Sequence, residues 1–166
     1  MTTIRTARLV LETLTRDEAR AIREGDRVGR LWAEDYPTEG DVVVAGIAVE
    51  AGEHYDESAA LGVLQARLAS SGEAVGGIGF LSAATPEGEA EVGYGFAASV
   101  RGRGLATEAL EAVLGLAAAQ GVRTVVALTA PDNIASQRVL ERCGFVRQGV
   151  VEDDEGPMLR WERPVA

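Results

Sequence analysis

The chain predicts a single α/β (α+β) domain, residues 1–166, built on one mixed, mostly antiparallel sheet with helices on both faces. Three observations predict it. Alternating apolar segments joined by tight turns fill the middle of the chain and read as antiparallel neighbours. After residue 96 the apolar spacing changes from two to 3.6, which marks a long helix. A buried strand then follows that helix, and a β-helix-β crossover in one sheet makes its two strands parallel. With 166 residues and 46% hydrophobic content, the chain is long enough to close one core.

The elements follow in order. Leu9 to Leu14 is a short strand, and Thr15-Arg16-Asp17-Glu18 supplies a helix cap and an acidic first turn. Ala19, Ile22 and Val28 are expected to face inward. Leu31 to Gly52 reads as a loop followed by an amphipathic helix. Gly62 to Leu68 and Ala74 to Leu81 form a strand pair around Ser70-Ser71-Gly72-Glu73, and Thr85-Pro86-Glu87-Gly88 turns into a third strand, Glu91 to Phe96. Leu105, Ala109, Val113 and Ala117, with Leu110 and Leu114 beside them, give a helical stripe that stops at Gly121. Thr124 to Ala130 is the crossover strand, Asn133 to Cys143 a second helix, and Phe145 to Val151 and Met158 to Glu162 are closing strands.

Composition narrows the function. The formal net charge is −10, which argues against nucleic acid or an anionic membrane as partner. One cysteine, Cys143, cannot form an internal disulfide, and no stretch resembles a signal or spanning segment, so a cytoplasmic protein is expected. The single histidine, His54, cannot build a metal cluster, and no metal is expected. Trp32 and Tyr36 read first as core and second as walls of an acceptor pocket. Glu34, Asp35, Glu39 and Asp41 form an acidic cluster, a solvated face or an attraction for a cationic amine.

Against this acidic background, Val100-Arg101-Gly102-Arg103-Gly104-Leu105-Ala106-Thr107 is a basic, glycine-rich turn opening into a helix. Unpaired backbone N–H groups, the positive end of the helix dipole and two guanidinium groups meet there, an arrangement that attracts a pyrophosphate. A nucleotide-triphosphatase loop is excluded, since it needs lysine and all sixteen basic residues are arginine. A dinucleotide fingerprint at Gly93-Tyr94-Gly95 is excluded too, because those glycines lie inside a strand and not at its exit into a helix.

Arg101-Gly102-Arg103-Gly104-Leu105-Ala106-Thr107-Glu108-Ala109-Leu110, followed by Asn133-Ile134-Ala135-Ser136-Gln137-Arg138-Val139-Leu140-Glu141-Arg142-Cys143-Gly144-Phe145, resembles the Gcn5-related N-acetyltransferase (GNAT) superfamily. Thr6-Ala7-Arg8-Leu9-Val10-Leu11 and Ala90-Glu91-Val92-Gly93-Tyr94 are similar to its ribosomal-protein N-terminal acetyltransferase branch. The resemblance implies a parallel strand pair splayed apart, with the pantetheine arm of acetyl-CoA entering the gap. It implies cofactor contacts at Phe96, Arg101, Gly102, Arg103, Gly104, Leu105, Ala106, Thr107 and Asn133. It implies a primary amine acceptor, a cationic small molecule or a protein N-terminus, and a homodimer as in many relatives.

The chemistry it implies is amine attack on a thioester. A thiol has a pKa near ~8.5 and an alkylamine near ~10.4, so stripping the amine is the harder task. Glu91 is the candidate base, with Glu89 and Asp35 as rivals, and Ser136 matches the acid of the ribosomal branch. The tyrosine that many members use as acid corresponds here to Leu140. Two alternatives follow: a catalytically silent acyl-CoA-binding regulatory domain, or transfer of a longer acyl group.

Overall fold

A computed structural model describes the whole chain, Met1–Ala166. The first half forms β1 (Thr3–Arg5), β2 (Leu9–Thr13), α1 (Arg16–Glu24), α2 (Glu39–Ala51), β3 (Val63–Leu68) and β4 (Ala74–Phe80). The second forms β5 (Glu89–Phe96), α3 (Leu105–Ala119), β6 (Thr124–Thr129), α4 (Ile134–Arg142), β7 (Val146–Asp153) and β8 (Gly156–Pro164). All eight strands join one sheet in the order β1-β2-β3-β4-β5-β6-β8-β7. Every neighbouring pair is antiparallel except β5 and β6, which run parallel as the crossover through α3 requires.

Register divides the sheet into two faces. Leu9 and Leu11 stand beside Leu68 and Ala66, and Leu64 beside Ile78, then Tyr94; with Phe80, Val92 and Phe96 they line the face that α3 covers. The apolar stripe of α3 meets them: Leu105, Ala109, Leu110, Val113, Leu114 and Ala117 are all buried. The alternate positions, Val63, Gln65, Gly77, Gly79, Gly93 and Gly95, face the other way, towards α1 and α2.

The segment between β2 and β3 departs from the sequence reading in two ways. Val28 is expected to be inward but is 86% exposed, because α1 ends at Glu24 and Gly25 turns the chain out before Val28. α2 is expected to be amphipathic, yet it has almost no polar face: Ala45 and Ala48 are buried while Val42, Val43 and Ile47 are exposed. Small residues suit its close packing against α1. The loop before it is fixed by polar contacts. Trp32 Nε1 donates to Glu18 Oε1 at 2.7 Å, and Gln65 Nε2 bridges Glu18 and the Tyr36 hydroxyl at 3.0 Å each. Trp32 and Tyr36 are both buried, edge to face with centroids 5.4 Å apart. No helix is long and apolar enough to cross a membrane.

Candidate active site

The parallel pair separates. β5 pairs with β6 only from Glu89 to Glu91, opposite Thr124 to Val126, while β6 goes on pairing with β8 as far as Thr129. Val92 to Phe96 therefore keep β4 as their only partner strand. The Ala97 amide donates to the Val75 carbonyl at 2.8 Å, so strand alternation turns the backbone of Gly95 and Gly93 towards β4. By the same alternation, Val92, Tyr94 and Phe96 turn their amides and carbonyls into the gap.

The gap opens into a cleft of about 470 Å³, lined by Tyr94, Phe96, the turn before α3, the first turn of α3 and one side of α4 along its length. Gly102 and Gly104 both hold left-handed backbone, φ 77° and 79°, which an L side chain resists. Gly104 is the N-cap of α3 and has no side chain to cap it. The amides of Gly102 to Thr107 donate to no backbone carbonyl, so the donors that a Ser or Asp cap would consume stay available. The buried Thr107 hydroxyl also lacks a hydrogen-bond partner. A buried orphan hydroxyl beside a row of free amides fits a phosphate-bearing ligand well.

The expected site residues distribute as follows. Phe96, Arg101, Gly102, Gly104, Leu105, Ala106, Thr107, Asn133 and Ser136 all line the cleft. Arg103 does not, and its carbonyl instead receives Arg8 Nη1 at 2.6 Å. Arg101 folds back, Nε donating to the Phe96 carbonyl at 3.0 Å. Asn133 caps α4 by accepting from the Ser136 amide at 3.1 Å. Glu91 is exposed and stands on the α1/α2 face, two residues before Gly93. Of its rivals, Glu89 pairs with Arg160 at 3.3 Å, and Asp35 accepts from the Ser99 amide and hydroxyl at 2.8 Å each. Those bonds, the hydroxyl first, hold the Asp35 carboxyl below its ordinary range.

Three features escaped the sequence reading, and a fourth was read only as one member of an acidic cluster. Tyr94 sends its hydroxyl to within 2.9 Å of Ser136 Oγ, and burial pushes it up to about 12, so it stays protonated at neutral pH. Strand alternation from the neighbouring glycines was the available signal. Arg138 and Arg142 bring two more guanidinium groups to the cleft, and their spacing of four on one helix already put them on one face. Glu108 anchors the cradle, accepting from the Thr6 hydroxyl at 2.6 Å and from the Arg8 amide and Nε at 2.7 Å each. Nothing local in the sequence marks that contact across a hundred residues. The fourth is Asp41, whose side chain lines a second cavity on the opposite face.

A family model for the acetyltransferase (GNAT) domain matches residues 8–146. The chain belongs to this GNAT family. Among solved structures, a Bordetella pertussis protein assigned to GnaT-family acetyltransferases is 29% identical, with 98% of this chain and 99% of that one covered and a TM-score of 0.72. An acetyltransferase from Agrobacterium tumefaciens is 24% identical, covering 98% and 94%, with a TM-score of 0.70. RimL, a ribosomal L7/L12 alpha-N-protein acetyltransferase solved with coenzyme A, shares the fold at 18% identity, 98% coverage of each chain and a TM-score of 0.72. No curated protein matches the chain. The GNAT fold, with its mostly antiparallel sheet, one parallel pair and four helices, is the one described above.

Proposed function

We propose that this GNAT protein transfers an acetyl group from acetyl-CoA directly to a primary amine held in the same complex. The observation that carries the reading is the uncapped N-terminus of α3, with its free amides, opening onto the gap between β5 and β6. The amides of Gly102 to Thr107 and the Thr107 hydroxyl would receive the pyrophosphate, and Arg101, Arg138 and Arg142 would balance its charge. RimL, which shares the fold, was solved in complex with coenzyme A, and that supports the reading.

The thioester supplies an acyl carbon open to attack and a thiolate that leaves. The backbone amides of Tyr94 and Phe96, turned into the gap, are suited to hold the carbonyl oxygen as it gains charge. The acceptor approaches from the α1/α2 face, where Gly93 and Gly95 leave the strand bare. Glu91, at the outer edge of that face, takes the proton that the amine must lose. Ser136 returns a proton to the departing sulfur, its hydroxyl backed by Tyr94 at 2.9 Å. Leu140 is wholly buried and carries no acid, so this hydroxyl pair fills the role that a tyrosine at that position would.

Thiol release from acetyl-CoA, measured over a panel of amines, tests the reading. Saturable turnover with at least one primary amine is expected. Tight coenzyme A binding without turnover on any amine would instead make the chain an acyl-CoA-binding regulatory domain. Glu91→Gln should slow turnover most on the acid side of the pH profile, with recovery as rising pH deprotonates the free amine. An unchanged profile would remove Glu91 from the mechanism.

A further inference from the structure

On the α1/α2 face, behind the β5 residues that border the cleft, lies a second cavity of about 130 Å³. Its floor is glycine: Gly77 and Gly79 from β4, Gly93 and Gly95 from β5. A Cβ on Gly93 would meet nothing within 4 Å, so the floor is open there. Leu14, Ile22, Val44 and Val63 give it apolar walls.

One carboxylate reaches this cavity. Asp41, the third residue of α2, uses Oδ2 in a capping box, accepting from the Thr38 amide at 2.9 Å and hydroxyl at 2.8 Å. No hydrogen bond or ion pair reaches Oδ1. A Cβ on Gly77 would lie 2.9 Å from it, so Oδ1 is held over Gly77, whose partner across the ladder is Gly95, itself faced by the Thr38 hydroxyl. Gly95 sits between Tyr94 and Phe96, whose amides point into the gap, so a single strand separates Oδ1 from the proposed acyl site. The other members of the acidic cluster do not share this position: Glu34 and Glu39 are exposed, and Asp35 is bound by Ser99. Unpaired within the protein and not sealed from solvent, Oδ1 is free to accept from a cationic donor. Burial holds the Asp41 carboxyl above its ordinary range even against two bonds from Thr38.

We infer that Asp41 receives the ammonium group of the acceptor, and that the acceptor is a primary amine on a short apolar body lodged between α1 and α2. This rests on the transferase reading and specifies its substrate. An ammonium N–H donates to Oδ1 while the apolar substituent packs against Leu14, Ile22, Val44 and Val63. A space of about 130 Å³ suits a short apolar substituent and not a long chain. A long polyamine would need a second carboxylate, and the cavity has none. In the transfer the ammonium gives up one proton by way of Oδ1 and the Glu91 edge. The freed lone pair makes the C–N bond, the nitrogen then loses its second proton, the C–S pair leaves on sulfur, and sulfur takes up one proton through Ser136, so ammonium and thioester become amide, thiol and one released proton.

Steady-state kinetics with isoamylamine, spermidine and tripeptides beginning with valine or glutamate test the inference, alongside calorimetry with coenzyme A. Isoamylamine or the valine tripeptide, depending on whether the amine is free or N-terminal, should saturate at concentrations where spermidine and the glutamate tripeptide do not. Asp41→Asn should raise the amine KM at least tenfold and leave coenzyme A affinity unchanged. Gly93→Val, which fills the floor without touching the capping box, should raise the same KM, whereas Glu39→Gln should change neither constant. A wild type that turns over while Asp41→Asn and Gly93→Val keep its amine KM overturns the inference and leaves the transferase reading standing. Preference for spermidine overturns it too. Failure of the wild type to bind coenzyme A overturns both.

Discussion

On the proposed reading Gly104 meets two demands at once: left-handed backbone and the absence of any side chain between the α3 amides and a bound pyrophosphate. Gly104→Val strains the first and obstructs the second, so calorimetry should show coenzyme A affinity falling at least tenfold in protein that still melts cooperatively. Unchanged affinity would move the phosphate seat elsewhere. Ser136 and Tyr94 form a hydroxyl pair at the opposite wall. Ser136→Ala and Tyr94→Phe should each lower kcat with coenzyme A affinity kept, and the double variant should cost little more than either alone, because the two act as one unit. The cradle glycines were legible in the sequence because a glycine-rich turn at a strand-to-helix junction has a direct physical meaning. Asp41 was visible only as one of four acidic residues, since its distinction is an oxygen atom's surroundings.

At the scale of elements, α3 is held at both ends of its function. Its stripe fixes it on the sheet, and Leu110, fully buried at the centre, should cost about 2–5 kcal/mol when changed to alanine. Its first turn is fixed by Glu108, where burial opposes the charge but the bonds from Thr6 and Arg8 prevail and keep the carboxyl below its ordinary value. A depressed carboxyl contributes stability in full above its unfolded pKa and loses it as pH falls through the folded one. Glu108→Gln should therefore destabilise by about 1–3 kcal/mol at neutral pH. In melting curves the gap from wild type should close as pH drops below the carboxylate range. A gap independent of pH would assign the effect to packing. The stripe of α3 was legible because its period is local, whereas the Glu108 contact joins residues that only the tertiary fold brings together. α2 was placed but misread in character, because an all-apolar run of small residues carries no periodic signal.

For the whole molecule, the sheet is continuous everywhere except where β5 leaves β6, and both cavities use that strand. The strand types and the parallel crossover were legible from alternation and connection rules. The order β6-β8-β7 was not, since no local pattern says which of two closing strands lies inside. A ligand bound across the gap ties β5, α3 and α4 together. At a hundredfold excess over its Kd, coenzyme A should add about 2.7 kcal/mol of stability, which in a domain of this size is roughly 5–10 °C in Tm.

Comparing coenzyme A with pantetheine, which shares the thiol arm but has no phosphate, addresses the cradle most directly. Calorimetric titration of the wild type should saturate at one coenzyme A per chain, with pantetheine binding at least a hundredfold more weakly. Equal affinities for the two, or no binding heat with coenzyme A, would contradict a pyrophosphate seated on the amides that open α3.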